Sequence, residues 1–278
     1  MNISGLIWKN ALRPSLLVFL FIPLFLNYGC TDNNRKSRSK KEKIAYEKYK
    51  DGSIKTESQV KEGKAHGLLK NYTPGGLLES VYTYNMGVKD GPAVVYYPNG
   101  QPRAKMYYKE NYRHGITRQY YRSGELYRES PYENGKLNGI RKTLYKDGTL
   151  MAEAPFMDGY AGLGLKEYDK DGALLDNKPR LVITPINKLA MEDKYVLRLK
   201  LEPSMPGTIF YIGDLKEDRF IHVGLWPLEP SNGIAEYTIK VRKGSFRMEV
   251  MTITAQYKTD KSNYGVISRK YNLAIDNK

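Results

Sequence analysis

Between residues 44 and 176, apolar and polar side chains alternate in short runs that return at a fixed interval. Leu78, Ser80, Tyr82 and Tyr84 fall on one side of an extended chain, as do Leu126, Arg128, Ser130 and Tyr132, and again Leu150, Ala152, Ala154 and Phe156. The other side reads Arg103, Lys105, Tyr107, Lys109 in one run and Lys55, Glu57, Gln59, Lys61 in another. Shorter runs behave alike: Ile116 and Tyr120, or Ile140 and Leu144, share a side, with Arg118 or Lys142 between them. A period of two with one polar side predicts an antiparallel meander wetted on one face.

The interval is 24 residues, which separates Gly52, Gly76, Gly100, Gly124, Gly148 and Gly172. A second glycine column runs through Gly67, Gly91, Gly115 and Gly139, and a third through Gly63, Gly87, Gly135 and Gly159, with Asn111 filling its gap. Ile54, Leu78, Leu126, Leu150 and Leu174 keep one register; Val60, Tyr84, Tyr108, Tyr132 and Phe156 keep another. Self-similarity at one period is the signature of a repeat array. Asp51, Asn99 and Asp147 precede glycines of the first column, and His66, Asp90 and Asn138 those of the second. Such pairs tolerate the positive φ of tight hairpin turns, so these two columns predict the turns, leaving strands of about nine and about six residues per repeat. The aromatic column from Tyr84 to Phe156 requires a cover: the sheet's own curl, a second copy, or the C-terminal region packed over Phe156–Tyr168.

Tyr-x-x-Gly, as at Tyr97–Gly100 and Tyr121–Gly124, combined with Gly-x-x-His-Gly at Gly63–Gly67, resembles the MORN repeat. It is similar, more narrowly, to the variant in bacterial proteins labelled YwqK-family antitoxins. The resemblance covers about 130 residues and implies an all-β hairpin sheet. As to function it implies scaffolds, membrane-apposed proteins or appendages to catalytic domains, and fold analogy supplies no mechanism.

After Gly172 the period stops, and Asn177-Lys178-Pro179 reads as a linker. Strands are predicted over Arg180–Thr184, Tyr195–Leu201, Thr208–Ile212, Ala235–Val241, Phe246–Tyr257 and Tyr264–Ala274, separated by Pro, Gly and Asn clusters. Six or seven strands in this span predict an immunoglobulin-like β-sandwich over 177–278. Pro179–Pro185, followed by Pro206–Tyr211, resembles the small sandwich appended to chitobiase-type glycosidases, which is not catalytic in those enzymes.

The N-terminus carries a different pattern. Lys9 and Arg13 precede an apolar run of eleven residues, Leu16–Leu26. That run suits a signal peptide over residues 1–29 and is shorter than the roughly 20 residues of a spanning helix. Gly29-Cys30 closes it and resembles the lipobox of bacterial lipoproteins, which implies lipidation of Cys30, the one cysteine of the chain. The implied location is the bacterial cell envelope, with Thr31 after the cysteine leaning towards the outer membrane. Residues 30–43 then form a basic linker.

Charge changes the picture only when mapped. The net charge is +15 overall, but residues 1–43 hold 8 basic and 2 acidic side chains, and the repeats are close to balanced. The excess is therefore a solvated linker, or a contact with anionic lipid or cell-wall polymer, and not a nucleic-acid footprint.

Chemistry is sparse. Of the three histidines, His66 and His114 sit in the turn column, which explains them structurally, and His222 falls in a predicted strand with no acid partner nearby. No Gly-x-Ser-x-Gly, His-Glu-x-x-His, P-loop or dinucleotide fingerprint occurs, so neither an enzyme nor a cofactor nor a metal is expected. Tyrosine is the excess, with 17 of 24 lying in residues 44–177. Tyr107, Tyr112 and Tyr127, on the less apolar side, are the candidate ligand contacts. The expected role is a tethered, non-enzymatic interaction or scaffold protein with a protein partner; the alternative is a cell-surface glycan or cell-wall binder.

Overall fold

Each repeat folds as two strands, because two unlike turns recur in it. The first spans Tyr49–Gly52, Tyr97–Gly100, Tyr121–Gly124 and Tyr145–Gly148, closed in every case by the glycine N–H donating to the tyrosine carbonyl. The second is a two-residue hairpin at Glu62-Gly63, Met86-Gly87, Glu110-Asn111, Asn134-Gly135 and Asp158-Gly159, where both residues have positive φ. That is the turn whose twist matches its flanking strands. The hairpins thus fall at the third glycine column and not at the second. Gly67, Gly91 and Gly139 lie inside strands at φ 97°, 122° and 115°, beside breaks of register in the ladders. There a side chain would run into the neighbouring strand: a Cβ on Gly91 would lie 3.0 Å from Thr83 Cβ, and one on Gly139 3.0 Å from Pro131 Cγ. The shorter strand of each repeat passes through a bulge instead of stopping at it, so it has nine residues where the glycine pairs predict six, and its neighbour has eight in place of nine.

The computed structural model describes residues 42–278; Cys30, the apolar run and most of the basic linker lie outside the described residues. The repeats form one sheet in sequential order: β1 (Lys43–Lys48), β2 (Ile54–Lys61), β3 (Lys64–Tyr72), β4 (Leu78–Asn85), β5 (Val88–Tyr96), β6 (Pro102–Lys109), β7 (Tyr112–Tyr120), β8 (Leu126–Glu133), β9 (Lys136–Leu137), β10 (Gly139–Leu144), β11 (Leu150–Met157), β12 (Tyr160–Ala161) and β13 (Lys166–Glu167). β9 and β10 are one strand interrupted at Asn138, and both pair with β8. All pairings are antiparallel.

Neighbouring repeats are latched at both margins of the sheet. At one, the hydroxyls of Tyr49, Tyr97, Tyr121 and Tyr145 donate to the carbonyls of Tyr72, Tyr120, Leu144 and Tyr168, each 23 residues on and at 2.8–2.9 Å. At the other, the amides of Gly87, Asn111, Gly135 and Gly159 donate to the carbonyls of Ala65, Lys89, Arg113 and Leu137. Each hydroxyl latch contributes about 1 kcal/mol net. The tyrosine of Tyr-x-x-Gly is therefore a joint between repeats. Thr73 holds that place in the second repeat, and its hydroxyl accepts from Leu77 N–H within its own turn.

The C-terminal region is a sandwich of two sheets. β14 (Arg180–Lys188), β15 (Lys194–Glu202) and β18 (Ile234–Lys240) make one; β17 (Trp226–Leu228), β16 (Ile209–Ile212), β19 (Ser245–Lys258) and β20 (Tyr264–Asn277) make the other. A single turn of helix, α1 (Leu189–Glu192), joins β14 to β15. Alternation along the strands sends Leu181, Leu197, Leu199 and Ile239 from the first sheet against Phe210, Ile253, Leu273 and Ile275 from the second, all buried. His222 is not in a strand: it lies in the loop between β16 and β17, where its Nδ1 accepts from Gly224 N–H at 3.1 Å and Nε2 faces the Asp214 carbonyl at 3.0 Å. Among the described residues no helix is long and apolar enough to cross a membrane.

The last repeat runs directly into this sandwich. Ala154, Phe156, Ala161 and Leu165 pack with Leu215, Ile221, Leu225 and Val266 into one buried cluster. Phe156 alone, fully buried, contributes about 2–3 kcal/mol.

Candidate functional site

Two faces of the repeat sheet and one seam are the places where side chains converge. The face carrying the tyrosine column is built over a floor of small buried residues: Ser80, Ala93, Ala104, Thr117, Ser130 and Thr143. Above them stand aromatics and cations in contact. Lys89 Nζ lies 4.4 Å from the Tyr82 ring centroid and 5.4 Å from that of Tyr108, and Tyr82 meets Tyr108 edge-on at 6.0 Å. Arg113 sits 4.1 Å above the Tyr132 ring and donates to the Tyr132 hydroxyl at 2.8 Å. Lys89 and Arg113 thus lie against the Tyr108 and Tyr132 rings of the column, and at Phe156 the sandwich covers it.

Arg113, Arg128 and Arg141, like Lys89 on the same face, differ from the paired cations of the opposite face. Lys70, Arg118 and Lys142 are ion-paired with Glu57, Glu129 and Glu153 on the opposite face. The three arginines have no carboxylate within 4 Å among the described residues and rest on aromatic rings instead: Tyr132, Tyr127 and Phe156. Burial, followed by the neighbouring Arg128 charge, presses Arg141 down to about 10, still protonated at neutral pH. Its Nε is buried without a hydrogen-bond partner.

The seam fixes the end of this face. Glu167, buried on β13, accepts from Thr259 Oγ1 and Asn263 Nδ2, both at 2.7 Å. Asn263 Oδ1 in turn accepts from Arg141 Nη2 at 3.1 Å, and Lys261 Nζ donates to the Tyr145 hydroxyl at 2.7 Å. The tip of the β19–β20 hairpin therefore plugs the last repeats with polar groups as well as apolar ones.

The opposite face bears a ridge the sequence reading did not single out. Leu68 pairs with Thr83, Pro92 with Tyr107, Ile116 with Pro131 and Ile140 with Pro155, so one row of side chains crosses the sheet from β3 to β11. Leu68, Tyr107, Ile116 and Ile140 are exposed, the two isoleucines by 49 % and 50 %. Alternation puts Ile116 on one side with Arg118 and Ile140 on one side with Lys142, and the register keeps them there, on the ion-paired face. The signal was present, since Leu68, Pro92, Ile116 and Ile140 each follow a glycine of the second column.

The predicted contact tyrosines do not converge. Tyr107 is on the ridge and exposed. Tyr112 begins β7 and is exposed, with its ring against the Gly135 turn. Tyr127 is the extra residue of a bulge, since Gln119 pairs with Arg128 and Tyr120 with Leu126. It is half-buried, edge-on to Tyr121 at 4.9 Å, and its hydroxyl accepts from Arg128 Nη2 at 2.9 Å. Cys30 lies outside the described residues. His66 and His114 lie in β3 and β7, and among the described residues no group of three His, Cys, Asp or Glu could hold a metal ion.

A family model described as a MORN repeat variant matches residues 89–110 and 113–134, two successive repeats at the centre of the sheet. No curated protein matches the chain.

Proposed function

We propose that this chain is a non-enzymatic interaction protein, tethered to the cell envelope through lipid on Cys30, whose working surface is the repeat sheet. The observation that carries the reading is the apolar ridge Leu68–Pro92–Tyr107–Ile116–Ile140, displayed on a face otherwise occupied by ion pairs. Contiguous exposed apolar side chains rimmed by charge mark contact surfaces. Equivalent ridge positions recur every second strand, roughly 10 Å apart, a spacing suited to an extended protein surface and not to one small molecule. Replacing Ile116 and Ile140 by Asp leaves the buried floor untouched. The double variant is expected to lose partners that wild type retains from detergent-solubilised envelope membranes; an unchanged set of captured proteins overturns the reading. The tether is tested separately: Cys30→Ser should abolish incorporation of labelled fatty acid, and equal labelling refutes it.

A second reading, binding of an envelope glycan, is supported by the uncompensated Arg113, Arg128 and Arg141, which suit an acidic polymer better than a neutral one. It calls for saturable binding of an acidic cell-wall polysaccharide that Arg113→Gln and Arg128→Gln weaken while Tyr107→Ala does not. Binding equally sensitive to Tyr107→Ala would move the site to the other face.

A further inference from the structure

The first half of β19 has a partner on one side only. β20 pairs with it throughout, from Ser245↔Asn277 to Lys258↔Tyr264, whereas β16 reaches only from Gln256 to Ile253. One further bond follows, from Gly213 N–H to the Thr252 carbonyl at 3.0 Å. Beyond it no strand pairs with that edge among the described residues. Backbone groups of alternate residues point to the same edge of a strand. The Thr252 carbonyl therefore fixes the outward residues as Val250, Met248 and Phe246. Their side chains share one face of the sheet and are 63 %, 73 % and 74 % exposed.

A long, apolar, unpaired edge is a template for another strand. Neither Pro nor Lys interrupts this one. Its pattern also selects the occupant. Phe246-Arg247-Met248-Glu249-Val250 is symmetric about Met248, except that the charges invert: apolar, basic, apolar, acidic, apolar. A second copy laid antiparallel about a two-fold axis through Met248 sets Met248 against Met248, Phe246 against Val250, and each Arg247 against the other copy's Glu249. A copy laid parallel would put like charges side by side.

Glu249 supplies an independent mark. Its Oε1 is buried, and although Arg247 Nη2 of the same strand is 2.9 Å away, no properly directed hydrogen bond reaches it. An ion pair along one strand is poorly aimed; a guanidinium arriving from a facing strand is not.

We infer that the β19 edge is a homodimer interface, in which a second copy of this chain pairs antiparallel along Phe246–Val250 and joins two four-stranded sheets into one of eight. The two apolar triplets then form a single patch, and the outward backbone groups of Phe246, Met248 and Val250 gain ladder partners. The pairing is independent of the ridge and of any partner bound there.

The test uses the full chain in mild detergent with Cys30→Ser as background, which removes the native thiol. Met248→Cys should form a disulfide-linked dimer on mild oxidation, since facing residues on paired strands lie within disulfide reach. Phe246→Cys and Val250→Cys should not link alone but should link when mixed. Arg247→Glu and Glu249→Arg should each weaken self-association about tenfold by sedimentation, and an equimolar mixture of the two should restore it, because the mixed pair regains both opposite-charge contacts. Restoration also shows that both variants are folded. A wild-type chain that sediments as a monomer up to about 0.1 mM, or crosslinking without regard to register, overturns the inference.

Discussion

Asn263→Ala tests whether the repeat sheet and the sandwich behave as one body. Asn263 is buried at the tip of the β19–β20 hairpin and is the bridge between two charges, donating to Glu167 at 2.7 Å and accepting from Arg141 at 3.1 Å. Hydrogen bonds to charged groups contribute about 1.5–3 kcal/mol each. Glu167 retains its bond from Thr259 Oγ1, and the Arg141 contact is long, so the lower end applies to both. The sum is about 3 kcal/mol. Urea unfolding of the full chain carrying Trp8→Phe in detergent, followed by far-ultraviolet circular dichroism and by Trp226 emission, should show both signals shifting together by that amount. Thr259→Val, which removes one such bond from Glu167 and the acceptor of the Asn263 N–H, should cost about 2–3 kcal/mol. A loss below about 0.5 kcal/mol, the range of ordinary surface substitutions, would refute the assignment of the seam as a shared structural joint. So would a variant in which the Trp226 signal shifts while the repeats unfold as before.

Other outcomes follow from the same geometry. Tyr97→Phe and Tyr121→Phe remove the inter-repeat hydroxyl bonds and should each lower stability by about 1 kcal/mol; unchanged unfolding midpoints for both would dismiss the latch. Gly100, at φ 81° with open space beside it, should accept Ala at about 1 kcal/mol, whereas Gly91, at φ 122° and tight against Thr83, should cost clearly more; equal melting temperatures of the two variants would argue against the bulge. Burial, aided by the Glu167 charge, pushes Tyr257 up to about 12, and burial, followed by the bond to Tyr195, takes Tyr271 to about 12. Unfolded tyrosine titrates near 10, so their contribution to stability is complete below about pH 10 and is lost as pH rises towards 12. Absorbance at the phenolate band during alkaline unfolding measures this, and Tyr257→Phe should flatten the profile; a Tyr257 that ionises near pH 10 in the folded chain contradicts it.

The repeat architecture was legible because glycine spacing and strand alternation are local properties. The period, the order of the repeat strands and six of the seven sandwich strands could be read from residues; β17 could not. The register was not. His66-Gly67 and Asp90-Gly91 look like hairpin turns, but a positive-φ glycine serves a bulge as well as a turn, and nothing local distinguishes them. That choice moves the hairpins by four residues and lengthens the shorter strands, while a separate bulge beside the Tyr121–Gly124 turn sets Tyr127 out of register. The seam was hidden for a different reason. Glu167, Asn263 and Arg141 are separated by up to 122 residues, and no pattern within either region marks a polar side chain as one that will be buried against the other.

The missing latch at Thr73 gives the sheet a direction. From β4 onward, buried residues, hydroxyl joints and finally the sandwich hold successive hairpins; in β1, β2 and β3 no residue is buried. In a linear array each unit is stabilised only by its neighbours, so the order of opening follows the weakest joint. Amide hydrogens of β1–β3 should therefore exchange well before those of β5–β11, with the boundary falling at Thr73. Such an array unzips from one end, and that end is the one from which the chain's N-terminal segment departs. A pull applied through the N-terminus would then peel off β1–β3 before the load reached the sandwich, giving the sheet an extensible first three strands and a fixed remainder.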